Sequence, residues 1–255
     1  MGNTKELPTV ISFCSGYGGI ERGIELAGVE HRVLCYVEIE AFAIANLVAK
    51  MESGQLDPAP IWTDLKTFPA HLFRGAVDII TGGYPCQPFS AAGQRKGGDD
   101  PRHLWPAIRE HIETIRPDRC FFENVEGHIS LGLSSVISDL EEDGFAATWG
   151  VFSAREVGAP HQRKRVYILA DTICEGLQGR LSRRSYTQRQ GEFRHARCSS
   201  AALQRGQGQS WSPEPRVGRV VDGCADRVDR IRLLGNAVVP QTAAKAWKIL
   251  GERNE

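Results

Sequence analysis

The chain has 255 residues, with 31 basic and 31 acidic side chains and a formal net charge of zero; 41% of residues are hydrophobic and 24% charged. That length supports one well-buried domain plus a small second lobe, not two full-sized domains. No apolar run approaches the roughly 20 residues that span a bilayer, and residues 1–8 lack a basic-then-apolar leader, so no membrane association and a soluble, cytoplasmic protein are expected.

Seven cysteines stand at positions 14, 35, 86, 120, 174, 198 and 224 without CxxC spacing. This pattern indicates neither a disulfide framework nor a zinc site, and no metal is expected. Charge is unevenly spread. Residues 176–219 hold nine Arg, no Lys and two Glu, a balance of +7 offset by −7 over the rest of the chain. Such a segment reads either as a polyanion contact or as a solvated loop.

Apolar runs alternating with amphipathic stretches over the first 170 residues predict a parallel α/β sheet. Strands are expected at 10–14, 33–37, 77–81, 119–123, 148–152 and 166–170, with helices at 20–26, 42–51, 104–115 and 136–143, the last ended by Gly144. After the first strand comes Gly16-Tyr17-Gly18-Gly19. Glycines there let the backbone approach a ligand at the carboxyl edge of the sheet, although a plain tight turn fits equally. The dinucleotide fingerprint GxGxxG is incomplete because residue 21 is Glu. Glu38 follows the second strand, where an acid can accept ribose hydroxyls, and Asp64 is placed for an adenine amino contact. Both also fit ordinary surface carboxylates.

Gly82-Gly83-Tyr84-Pro85-Cys86-Gln87-Pro88-Phe89-Ser90 follows the next strand. Two prolines stiffen this turn and set Cys86 at the carboxyl edge, where it can serve as a thiolate nucleophile. Residues 91–100 are rich in glycine and charge and suit a mobile loop closing over substrate. A further strand ends in Phe122-Glu123-Asn124-Val125, and an acid among apolar neighbours there can have a raised pKa and donate a proton. In His161-Gln162-Arg163-Lys164-Arg165, strand alternation would point Arg163 and Arg165 the same way, towards phosphate, carboxylate or carbonyl. Composition changes near Asp171 to Gln, Ser, Gly and Arg. Apolar patterning resumes at 217–221, and 242–250 reads as a helix. The expected organisation is a catalytic and cofactor-binding unit over 1–171, a small insertion over 172–216 and a returning segment over 217–255.

In this order the segments resemble the DNA cytosine-5 methyltransferase family of bacteria and phages. The carriers are Ser15-Gly16-Tyr17-Gly18-Gly19, the PCQPFS run at 85–90, Asp100-Pro101-Arg102-His103-Leu104, Phe121-Phe122-Glu123-Asn124-Val125 and Gly235-Asn236-Ala237-Val238-Val239-Pro240. The resemblance covers about residues 9–171 and 217–250. It implies a Rossmann-like S-adenosylmethionine-dependent methyltransferase fold, α/β, with the Arg-rich segment as a small target-recognition insertion. It further implies that Cys86 adds to carbon 6 of a flipped cytosine while Glu123 protonates or hydrogen-bonds ring nitrogen 3. Arg163 and Arg165 would stand near the base, and Asn124 would brace the site. A base inside a duplex is inaccessible, so flipping is required.

S-adenosyl-L-methionine, leaving as S-adenosyl-L-homocysteine, is the implied cofactor. Its expected contacts are Ser15, Gly16, Tyr17, Gly18 and Gly19, then Glu38, Ile39, Asp64 and Leu65, and finally Pro85, Leu104, Asn236 and Val238. Double-stranded DNA is the implied partner, through Gln87, Ser90 and Arg95 in the loop and Arg183, Arg184 and Arg189 in the insertion. A monomer is expected, with any cognate restriction endonuclease acting separately. Cys14 replaces the family's aromatic residue in the cofactor loop, and His161 replaces the Gln that precedes the paired arginines. Three other readings compete: a tRNA cytosine-5 methyltransferase, a non-catalytic DNA-binding relative, and an NAD-dependent dehydrogenase. The presence of Cys86, Glu123, Arg163 and Arg165 disfavours the second, and the broken glycine fingerprint the third.

Overall fold

The computed structural model describes residues 7–85, 104–173 and 235–254. In chain order the elements are β1 (Thr9–Phe13), α1 (Gly19–Leu26), β2 (Arg32–Val37), α2 (Ala41–Glu52), β3 (Ile61–Trp62), β4 (Ile79–Gly82), α3 (Trp105–Ile115), β5 (Arg119–Val125), α4 (His128–Leu131), α5 (Leu133–Glu142), β6 (Phe145–Ser153), β7 (Lys164–Thr172) and α6 (Pro240–Asn254). Their strands form one seven-stranded sheet in the order β3-β2-β1-β4-β5-β7-β6.

The first five strands in this order run parallel, but β7 is antiparallel to both β5 and β6. The sheet is therefore mixed, a parallel run carrying one reversed strand. β6 ends at Ser153 and β7 begins at Lys164. Parallel neighbours need a crossover of about a dozen residues or more, so a connection this short returns the chain antiparallel.

Side-chain alternation loads both faces of the sheet. Ile11 and Phe13 of β1, Ile80 of β4, Cys120 and Phe122 of β5 and Ile168 of β7 pack with Ile108 and Ile112 of α3 and Val136 and Leu140 of α5. Their neighbours in sequence, Val10, Ile79, Phe121, Tyr167 and Leu169, pack on the other face against Ile24 of α1, Leu47 of α2 and Trp247 and Leu250 of α6. Burial on both faces explains why these strands are continuous apolar runs.

Local signals fix the helix ends. Pro106 occupies the first turn of α3; Arg116 closes the helix in the left-handed region at φ 59, and Pro117 forbids continuation. Gly144, at φ 89, follows α5 as expected. α6 covers the expected 242–250 helix and rests on α1 through Gly23. A Cβ there would stand 2.6 Å from Ala243 Cβ and 2.8 Å from the Pro240 carbonyl oxygen, so the helices meet at hydrogen-only thickness. Trp247 adds an edge contact to Phe121, with ring centroids 5.1 Å apart. No helix among the described residues is long and apolar enough to cross a membrane.

Candidate active site

The sheet order reverses at β1: the chain moves from β1 outward to β2 and β3, then returns to place β4 on β1's other side. In open α/β sheets such a switch point leaves a crevice beyond the strands' carboxyl ends. A solvent-open cleft occupies that place. Its walls are the end of β1 (Ser12 to Ser15), the glycine turn with Ile20 and Glu21 of α1, Gly83 after β4, and Asn236, Ala237 and Val238.

The turn is held open from below. Ser15 Oγ donates to the Ser12 carbonyl at 2.9 Å and accepts from the Val37 amide at 3.1 Å, tying β1 to β2. Gly16 and Gly18 take φ of 53 and 69, and a Cβ on Gly16 would meet nothing within 4 Å. Position 16 thus faces open space, as a close ligand approach requires. A Cβ on Gly19 would lie 2.8 Å from the Val238 carbonyl oxygen, which lets residues 236–238 form one wall. Lys50 Nζ donates to the Tyr17 carbonyl at 2.7 Å and stands 4.9 Å from the Tyr17 ring centroid.

Glu38 is buried beneath this turn. Its Oε2 accepts the Gly16 amide at 2.7 Å and its Oε1 the Glu40 amide at 2.9 Å. Ile39 beside it is 71% exposed. The Cys14 thiol is pushed up to about 12 by burial and by the Glu38 charge, so it stays protonated at neutral pH. The Asp64 carboxylate accepts the Lys66 amide at 2.9 Å and caps a single 3-10 turn, and Leu65 is part of the apolar core. Leu104 packs against the same core.

Beside the cleft, β4 and β5 present a second group of residues. Glu123 is buried, and a Cβ on Gly83 would stand 3.7 Å from its Oε2. Burial pushes its carboxyl up to about 7, against the lowering pull of Arg165 and Arg163. Arg165 Nε stands 2.9 Å from Glu123 Oε1, at ion-pair distance but without hydrogen-bond alignment. Asn124 is also buried and donates from Nδ2 to the Tyr84 carbonyl at 3.1 Å. Tyr84 is boxed by Trp105, Phe122 and His128 at ring distances of 5.4, 5.9 and 5.6 Å, and its hydroxyl meets His128 Nε2 at 3.0 Å. Burial pulls the His128 pKa down, so the imidazole is neutral at neutral pH. Tyr84 and Pro85 lead directly into Cys86.

Arg163 does not follow the strand alternation expected of it. It precedes β7 with φ 29, and its guanidinium donates to the Gly235 carbonyl at 2.9 Å and to the Ala237 carbonyl. Both arginines still act on Glu123 electrostatically, but Arg163 also fixes the segment that walls the cleft. Cys86, Gln87, Ser90, Arg95, Arg183, Arg184 and Arg189 lie outside the described residues. Sequence reasoning did not single out Gly83, Ala237 or His128 as site residues, and it read Glu21 only as a break in the glycine fingerprint. His128 carried one signal: it follows Glu123-Asn124-Val125 by three residues.

A seven-stranded mixed sheet in this order, with a glycine turn at the switch point, defines a protein of the S-adenosylmethionine-dependent methyltransferase fold. More narrowly, the chain belongs to the C-5 cytosine-specific DNA methylase family, whose sequence profile matches residues 8–196. Among curated relatives, the Type II methyltransferase M.NgoMIV of Neisseria gonorrhoeae is 34% identical over 167 residues, covering 64% of this chain and 51% of that protein. The Type II methyltransferase M.NaeI of Lentzea aerocolonigenes is 31% identical over 166 residues, 63% of this chain and 39% of that protein. The chain therefore spans about two fifths to one half of the length of these relatives. The crystal structure of S. pombe Dnmt2 methyltransferase superposes with a TM-score of 0.55 at 25% identity, over 67% of this chain and 52% of that one. A putative DNA modification methyltransferase from an E. coli prophage shares the fold, with a TM-score of 0.51 at 24% identity over 65% of this chain and 47% of that one.

Proposed function

We propose that the chain is a DNA cytosine-5 methyltransferase that uses Cys86 as its nucleophile and acts on double-stranded DNA, as in restriction-modification or phage and host DNA methylation. The observation that carries this reading is Glu123. It is a buried carboxyl titrating near neutrality, faced by Gly83 and paired with Arg165, one sheet position from the cleft.

The residues of the cleft fit S-adenosyl-L-methionine. The turn is open at Gly16, the Glu38 carboxylate accepts the Gly16 amide beneath it and keeps further lone pairs for ribose hydroxyls, and Glu21 Oε2 is a buried acceptor without a hydrogen-bond partner. When bound, that cofactor supplies an electrophilic methyl group and leaves as S-adenosyl-L-homocysteine. The Cys86 thiolate forms a bond to carbon 6 of the cytosine. Glu123, protonated, places its proton at ring nitrogen 3, so the electron pair displaced by the thiolate gathers at carbon 5. Once carbon 5 is methylated it loses its proton to solvent water, that electron pair re-forms the ring double bond and expels Cys86 as a thiolate, and ring nitrogen 3 returns its proton to Glu123. Arg165 holds the Glu123 carboxyl in place, and Asn124 holds the backbone of Tyr84, two residues ahead of Cys86. Residues 172–216 are assigned to target recognition and 217–255 to a segment returning to the catalytic unit; the seat of α6 on α1 supports the return.

Expression in a host lacking 5-methylcytosine, followed by mapping of methylated cytosines, tests the whole reading. Methylcytosine at one recurring DNA sequence is expected, and label accepted by tRNA alone would refute DNA as substrate. DNA carrying 5-fluorocytosine should trap a covalent adduct with the wild-type chain, because fluorine cannot leave as a proton does. Cys86→Ser should bind cofactor and DNA but form no adduct and transfer no methyl.

A further inference from the structure

Glu21 is the first-turn acid of α1. It is 1% exposed, and its Oε1 accepts the Thr81 hydroxyl of β4 at 2.5 Å. Its second oxygen, Oε2, is buried without a hydrogen-bond partner, and the residue lines the cleft. An acid in a first helical turn is favoured by the helix dipole, but an exposed position would serve that purpose. Burying a carboxylate with one oxygen unsatisfied is costly. A donor brought in by whatever fills the cleft would supply the missing partner.

Resting on the reading of the cleft as the S-adenosylmethionine site, we propose that Glu21 binds the α-ammonium group of the cofactor's amino-acid end. The chemistry separates the two cationic centres of that ligand. A sulfonium carries charge but no N–H, so it cannot satisfy the lone pair of Oε2. An ammonium carries three donors. The carboxylate of the same amino-acid end finds its complement close by, since the first amides of a helix have no intrahelical acceptor and concentrate positive potential. The N-terminus of α1 and Glu21, one turn in, thus match an amino-acid zwitterion. Glu38, bonded to the Gly16 amide beneath the turn, is the residue assigned to the ribose end.

Calorimetric binding of three compounds to the full chain tests this: S-adenosylhomocysteine, its desamino analogue and 5′-methylthioadenosine, which lacks the amino-acid end. Glu21→Gln keeps an oxygen for the Thr81 hydroxyl, and an unchanged thermal midpoint would show an intact fold. It is expected to weaken S-adenosylhomocysteine and S-adenosylmethionine alike, by roughly 10- to 100-fold for a charge-assisted hydrogen bond. It should leave the desamino analogue and 5′-methylthioadenosine unchanged. On the wild-type chain, the desamino analogue should bind weaker than S-adenosylhomocysteine by the same factor, a comparison that needs no variant. Unchanged S-adenosylhomocysteine affinity in Glu21→Gln overturns the proposal and leaves Glu21 as a tether to Thr81. An effect confined to S-adenosylmethionine overturns it in favour of the sulfonium, and equal weakening of all compounds overturns it as a general loss of the cleft. A wild-type chain that binds none of them refutes the reading of the cleft itself.

Discussion

Arg165 holds its Nε 2.9 Å from Glu123 Oε1, yet the carboxyl it faces titrates at about 7. Removal from water outweighs the neighbouring charge at this position, and the balance sets which protonation state meets a substrate.

With Glu123 in the proposed role of proton donor, kcat/KM is expected to fall as pH rises through about 7. Arg165→Gln takes away a lowering influence and should move that limb to higher pH. Glu123→Gln should abolish it and slow transfer by about 100-fold or more. The same shift acts on stability. The folded pKa is raised above its ordinary 4.5, so the folded chain holds the proton more tightly, and stability declines as pH rises from about 4.5 to about 7. Denaturant titrations below and above that window should show the decline in the wild type and a smaller one in Glu123→Gln.

Asn124→Ala removes the donor to the buried Tyr84 carbonyl. A cost of about 1–2 kcal/mol is expected in denaturant unfolding. Methyl transfer should fall while S-adenosylhomocysteine affinity holds, because the bond secures the approach to Cys86 rather than the cofactor cleft. Equal losses in both measurements would contradict that assignment.

Gly23→Ala forces a methyl group between α1 and α6, against Ala243 Cβ and the Pro240 carbonyl. Overpacking of this kind costs about 1–3 kcal/mol. Adding Ala243→Gly to the same chain should recover part of the loss, which a double-mutant cycle would read as coupling. Cofactor affinity should track stability across the series, since Val238 lies just ahead of α6 and walls the cleft.

The six strands read from apolar patterning are all present: β1, β2, β4, β5 and β7, covered on both faces, write themselves as apolar runs, and β6, a partly exposed edge strand, is marked by Trp149, Val151 and Phe152. β3 escaped notice because two residues carry no period, and the direction of β7 because alternation is blind to strand polarity. In the site, residue types at strand ends were legible: Glu123, Asn124, Glu38 and the glycine turn all cluster at the carboxyl edge. Long-range contacts were not. Nothing local indicates that Arg163 leaves the extended region at φ 29 to hold residues 235 and 237, or that Glu21 turns inward to Thr81.

The arginines of 176–219 should bind phosphate. Neutralising Arg183, Arg184 and Arg189 together should flatten the salt dependence of DNA binding, by about 0.9 in log–log slope for each phosphate that no longer has a cationic partner. A single substitution that leaves the slope intact but relaxes the methylated sequence would mark an arginine reading a guanine edge, worth about 1–3 kcal/mol. An unchanged slope and an unchanged site would show that the segment takes no part in DNA recognition.

The wall formed by Asn236, Ala237 and Val238 also sets an order of events at the ribosome. β7, which closes the sheet, ends at Thr172, whereas that wall is encoded more than sixty positions later. At about 5–20 residues per second, a nascent chain completes its sheet several seconds before the cleft acquires its last side. During that interval the face of α1 around Gly23 lacks its cover from Pro240 and Ala243. Newly made chains are therefore exposed to premature association at that face, and the cleft gains its last wall only once the late segment has docked.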